Sequence, residues 1–207
     1  MRVTDKPSTK DKPKGPWNDW YHCTSHTYGS WLRGDSRGWR ARHHREHVDG
    51  DYKNPPPRGK YDALFAYSKS LMKRDPVRIN RELRQFVLDK VVERLHEWRI
   101  EIKVASLDGN HLHALIRCPD HNPRTVVGIA KQYATAQVKA HGLAVGLNLK
   151  LGEGLWAKRS RAEPIQSGSH FTRATDYIHD HINHGAVVWM MESTDPLDGL
   201  DIDELLV

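Results

Sequence analysis

Hydrophobic and polar positions follow two clear periods along this chain. In "RINRELRQFVLDKVVERLHEWR", apolar side chains recur at Ile79, Leu83, Phe86, Val87, Val91, Leu95 and Trp98. Those spacings of three and four predict an amphipathic helix. "IEIKVASL" then alternates as a strand, with Ile100, Ile102 and Val104 on one face. Asp108-Gly109 is a turn signal, and "NHLHALIRC" is the second strand of a predicted hairpin. "RTVVGIAKQYATAQVKAHG" predicts a second helix, entered after Pro123 and stopped by Gly142. "LWAKRSRAEPI" reads as a basic strand, and "HFTRATDYIHDHINHG" as a further helix ended at Gly185.

Upstream, "WYHCTSHTYGSWL" has the aromatic and Thr content of a strand, and "DALFAYSKSLMKR" that of a short helix. Residues 33–60 are irregular, rich in Gly, Pro and Asp with almost no aliphatics. Residues 1–16 offer little to bury and read as a disordered basic arm. The sum is one α+β domain over residues 17–191, with helices against an antiparallel sheet.

Composition adds a partner class. The 207 residues suffice for one domain with a real core, and seven Trp and seven Tyr argue against wholesale disorder. No apolar run is long enough to span a bilayer, so no membrane association is expected. The N-terminus lacks the apolar core of a signal peptide. Cys23 and Cys118 form no metal-type or redox pair, and a cytoplasmic, nucleoid-associated location is expected. The net charge of +6 conceals an asymmetry. Residues 192–207 hold six acidic and no basic side chains, leaving 32 positive against 20 negative charges elsewhere. Such an excess points to a polyanion, most simply nucleic acid, against the plainer reading of a basic solubility surface.

On a strand, residues i and i+2 share a face, so His111 and His113 project together. Two adjacent imidazoles can bind one divalent ion, although a chain with fourteen histidines also produces chance pairs. In "TDYIHDHINH", Tyr177 and His181 stand four apart and share a helix face, with His184 further along it. A phenol, a third imidazole and a two-histidine strand are the parts for metal-assisted phosphoryl transfer. Two or three histidines with open positions suit Mg²⁺ or Mn²⁺ held partly by DNA oxygens. From the helix pattern alone, Tyr177 reads more readily as a core aromatic than as a nucleophile.

"GNHLHALIRC", followed by "LWAKRSRAEPIQSG" and "FTRATDYIHDH", resembles the single-tyrosine transposases named for their histidine–hydrophobic–histidine (HUH) strand. That family includes insertion-sequence hairpin transposases and REP-associated tyrosine transposases. The resemblance covers roughly residues 76–185, with a weaker echo in the first strand. It implies a ferredoxin-like (RRM-like) antiparallel sheet with helices on one side plus a C-terminal catalytic helix. It implies Tyr177 as nucleophile and His111, His113 and His181 as metal ligands. The reaction it implies is single-stranded DNA cleavage at a hairpin-bearing element, through a 5′-phosphotyrosine intermediate with a free 3′-OH, followed by strand transfer. A homodimer, with the tyrosine helix set against the partner's histidines, is also within the family's habits. Asp108-Gly109-Asn110 replaces the Met-Pro-Asn of many relatives, the 33–60 segment is longer than a minimal member needs, and the acidic tail has no counterpart. These departures leave open a domesticated, catalytically silent regulator that binds structured DNA. A replication initiator or relaxase is disfavoured by the short chain.

DNA contacts are expected from "RGDSRGWRARHHREH", where Arg33, Arg37, Arg40, Arg42 and Arg45 surround Trp39. Guanidinium groups suit phosphates and an indole suits a base face. A zinc site at His43 and His47 is a weaker rival. Lys131, with Gln132 and Lys139, offers further contacts, and Lys158, Arg159 and Arg161 lie just ahead of the tyrosine helix. The acidic tail reads as a solvating segment, or as a cover for the basic face or a dock for a protein partner.

Overall fold

A computed structural model describes residues 15–37, 39, 56–147, 149, 150 and 152–191. The first fourteen residues of the expected arm, Arg40, Arg42, Arg45, His43, His47 and the acidic tail lie outside the described residues.

The frame is β1 (Trp20–Thr27), α1 (Asp62–Ser70), α2 (Arg81–Glu97), β2 (Glu101–Leu107), β3 (His111–Arg117), α3 (Pro123–Ala140) and β4 (Trp156–Pro164). α4 (Gly168–Asp180) and β5 (Val187–Met190) complete it. The five strands form one antiparallel sheet in the order β4-β1-β3-β2-β5. Taking β1-α2-β2-β3-α3-β4 alone, the order is that of a ferredoxin-like sheet, as the resemblance implies.

Local chemistry accounts for the element ends. Asn122 accepts a hydrogen bond from the Arg124 amide and Pro123 occupies the first turn of α3, where its missing N–H costs nothing. Ser167 caps α4 by accepting from the His170 amide at 3.1 Å. Gly185 closes the stretch after α4 at φ +82°, a conformation that suits glycine.

The two sheet faces have different tasks. α2 and α3 cover one face, packing Val87, Leu88, Val91, Val127, Ala130 and Ala134 onto Ile102, Leu112, Ala114 and Ile116. α4 covers the other, where Phe171, Ala174 and Ile178 meet Trp20, Val104 and Leu115. Burying each aliphatic side chain is worth about 1.5–3 kcal/mol, so both faces are firmly held.

Two expectations are revised. Ile102 and Val104 do not share a face, because the β2–β3 register shifts between them and the bulge turns Val104 toward α4. The last helix does not run unbroken to Gly185: α4 ends at Asp180 and a 3-10 turn, His181–His184, follows. β5 was not expected, since a four-residue edge strand carries too short a pattern.

Candidate active site

The α4-facing surface of the sheet carries the chemistry. Leu112, Ala114 and Ile116 of β3 point into the α2–α3 core, so His111 and His113 project from the opposite side. His113 is 8 % exposed. α4 lays its apolar stripe over Leu115 and brings Tyr177 and His181 to these histidines. Ring centroids of His113 and His181 are 4.7 Å apart, those of Tyr177 and His181 4.8 Å, and those of Tyr177 and His113 5.6 Å. His111 and His113 stand 6.2 Å apart. The Tyr177 side chain is half exposed, at 51 %. The four residues singled out in the sequence therefore converge, although 66 positions separate the first from Tyr177. His184 does not join them; it is exposed and lies 3.6 Å from Asp180.

Four neighbours escaped the sequence reading. β1 aligns Thr24 with His113 and His26 with His111. His22 and Thr24 approach His113 Nδ1 at 3.0 and 3.4 Å, and the His22 ring lies 5.9 Å from Tyr177. His26 packs edge-on against His111 at 4.8 Å. The signal was present as the period-two run His22, Thr24, His26, but its partners lie some ninety residues away. The fourth is Asp108. Its carboxylate accepts from the amides of Asn110 and His111 and from His111 Nδ1 at 3.0 Å. Burial would raise the Asp108 pKa, but these hydrogen bonds outweigh it and hold the carboxyl well below the usual carboxylate range.

Desolvation favours the neutral form of His22, His26, His113 and His181. Burial, reinforced by the neighbouring rings, pushes His113 down to about 2 and His26 to about 4. Burial also lowers His22 and His181. Neutral imidazole is the ligating form.

Among the described residues, no three His, Cys, Asp or Glu side chains stand as a preformed metal cluster. The donor chemistry nevertheless fits a divalent ion. Burial favours the neutral form of His113 and His181, Asp108 engages His111 Nδ1 and so leaves Nε2 for a ligand, and His181 Nε2 is buried without a hydrogen-bond partner.

The basic residues divide. Arg37 pairs with Asp35 at 2.6 Å and lies over Trp31, which stacks on His26. Arg33 sits over the Trp39 ring. Trp39 is 6 % exposed and packs on Tyr61 and Leu64, so its indole is no open platform for a base. Lys131 is also buried, donating to the Ala157 carbonyl and Ser160 Oγ, and desolvation lowers it to about 8. It is a structural cation beneath β4 rather than a surface DNA contact. With Gln132, Lys139 and Lys158 it lines a groove of about 360 Å³ between α3 and β4, across the sheet from Tyr177. Arg161, paired in register with Thr24, rises on the Tyr177 face, and strand alternation places Arg159 there too. Arg161 also reaches Glu163 at 2.8 Å.

Two strand histidines set against a tyrosine and a histidine delivered by a packed helix define the HUH single-tyrosine layout. A family profile described as "Transposase IS200 like" matches residues 70–181, more than half of the chain, and the chain belongs to that family. The matched span begins before α2 and ends on His181. A solved structure described as a REP-associated tyrosine transposase bound to a REP hairpin aligns at 13 % identity and a TM-score of 0.43, covering 86 % of this chain and 75 % of that one. No curated protein matches. Membership gives the chain a transposase-like, DNA-handling role. No helix among the described residues is long and apolar enough to cross a membrane.

Proposed function

We propose that this chain is a metal-dependent single-stranded DNA endonuclease and strand transferase, acting on hairpin-bearing DNA with Tyr177 as nucleophile. One observation carries the reading: the half-exposed Tyr177 is held against His113 and His181 by a helix whose other side is anchored in the sheet.

The chain's own residues supply positioning. Arg159 and Arg161 face the site from β4 and suit the DNA backbone on either side of the break. The Tyr177 hydroxyl gives up its proton as its oxygen attacks phosphorus, a new P–O bond forms, and the bond to the 3′ oxygen breaks. The departing 3′ oxygen takes up a proton, and the DNA 5′ end remains joined to Tyr177. Attack by a 3′-OH reverses the sequence and returns the tyrosine hydroxyl. Because the phosphotyrosine ester keeps the bond energy, one nucleophile both cuts and seals. His111, His113 and His181 would hold a Mg²⁺ or Mn²⁺ ion. When bound, the ion supplies Lewis-acid polarisation of the scissile phosphate.

A second reading, a catalytically silent binder of structured DNA, draws support from the departure of Asp108-Gly109-Asn110 from the motif of many relatives. One experiment separates the two. Wild type and Tyr177→Phe are incubated with labelled hairpin-bearing single-stranded DNAs, with Mn²⁺ or EDTA, and resolved on a denaturing gel. The proposal expects an adduct only for wild type with Mn²⁺, and hairpin binding by both proteins. An adduct formed by Tyr177→Phe would remove Tyr177 from its role. Tight binding without any adduct would favour the silent binder.

A further inference from the structure

His113 presents a problem of proton placement. Its Nδ1 lies 3.0 Å from His22 Nε2, so a single proton lies between the two rings. In one arrangement His113 Nδ1–H donates to His22, and His113 Nε2 keeps a lone pair. In the other, His22 Nε2–H donates to His113, whose own proton then sits on Nε2. Only the first leaves Nε2 able to ligate an ion. The second points an N–H at it.

Little else near His113 makes that choice. Thr24 Oγ1 is more distant, at 3.4 Å, and a hydroxyl there donates or accepts with equal ease. Ser106, the cross-strand partner of His113 on β2, is buried with its hydroxyl making no hydrogen bond. Thr24 and Ser106 therefore flank the imidazole in register without fixing it. His22 is itself flanked on β4 by its cross-strand partner Glu163, whose negative charge acts on the His22 ring more strongly than the opposing charge of Arg161, the residue Glu163 pairs with. A carboxylate beside His22 favours placing that ring's proton away from His113, which frees Nε2 to accept. Asp108 serves His111 by a parallel arrangement, accepting from its Nδ1. The two strand histidines thus each have an outer partner, one on the hairpin turn and one on β1.

We infer that His22 is a positioning residue, accepting the Nδ1 proton of His113 so that His113 Nε2 is available to a divalent ion. This rests on the metal-dependent reading of the site. It adds a residue from β1, outside the profile match at residues 70–181.

The test reads tautomer and affinity separately from DNA cleavage. Long-range ¹⁵N–¹H NMR on metal-free wild type should show His113 protonated on Nδ1. In His22→Phe the same ring should shift toward the Nε2–H form. Mn²⁺ affinity, measured by calorimetry, should weaken about 10- to 100-fold in His22→Phe, the usual loss when the outer partner of a ligating histidine is removed. His22→Gln, whose side-chain carbonyl accepts a proton, should recover most of that loss. A wild-type His113 protonated on Nε2 would overturn the inference, and so would a His22→Phe protein that binds Mn²⁺ as tightly as wild type. Wild type that binds no Mn²⁺ would instead count against the metal-dependent reading, and the tautomer would still decide on His22.

Discussion

Acidifying the metal-free protein should cost it stability in proportion to how completely His113 is buried. The unfolded chain takes up a proton on this imidazole near the ordinary value of 6.5, whereas the folded site resists protonation down to about 2. A depressed folded value means the stabilising contribution is present in full above 6.5 and drains away as pH falls below it. Between pH 7 and pH 5 the unfolded state gains about 2 kcal/mol from this one group, at about 1.4 kcal/mol per pH unit below 6.5. The assay is urea denaturation in EDTA at several pH values, for wild type and His113→Gln. Glutamine replaces the imidazole with a group that does not titrate, so the slope of stability against pH carries the result and the absolute stability does not. His26, lowered to about 4, contributes with the same sign in both proteins and drops out of the comparison. Wild type should lose about 2 kcal/mol more than the variant over this range. Parallel curves would refute the argument, since they would mean that the folded protein accommodates a charged His113 at little cost.

Removing the Asp108 carboxylate by Asp108→Asn takes away the charged acceptor for His111 Nδ1. It should weaken Mn²⁺ binding about 10-fold or more by calorimetry while Tyr177 stays in place. Ile178→Ala deletes a fully buried side chain from the cluster that seats α4. It should cost about 2–5 kcal/mol in denaturation and, by loosening the helix that carries Tyr177, lower the adduct yield in the gel assay.

The sequence was most legible where a pattern is local. The three-and-four spacing in α2, the Asp108-Gly109 turn and the alternation in β3 each depend on neighbours within a few residues, and each element formed as expected. Tyr177 and His181 were read as sharing a helix face, and their rings lie 4.8 Å apart. What failed to show were relations fixed by tertiary register. His22 and His26 gain meaning only because β1 lies beside β3, placing Thr24 opposite His113. Lys131 reads as a surface group because lysines on a helix face are usually solvated, and Trp39 does so because arginines surround it in the sequence. Burial under β4 and against Tyr61 is decided by elements far along the chain. Arg37 likewise met a carboxylate two residues away, Asp35, before any phosphate.

The register shift in β2 shows how a local irregularity serves the distant site. With regular pleating, Ile102 and Val104 would both enter the α2–α3 core, and the opposite face would present Lys103 in their place. Lys103 is an amphipathic side chain and a poor floor for an apolar helix stripe. By opposing two residues to one between Ile102 and Val104, the bulge keeps Ile102 in the main core and turns Val104 outward beside Leu115. Ala174 and Ile178 of α4 belong to the same cluster. Tyr177 adjoins Ile178 in sequence, so the apolar seat that fixes Ile178 also fixes the angle at which the phenol meets His113 and His181. The α2–α3 face uses the bulge as well, since Ala105 and Leu107, beyond it, share the core with Ile102 only because of the shift. The α4 face depends on it, and the candidate chemistry lies wholly on that face.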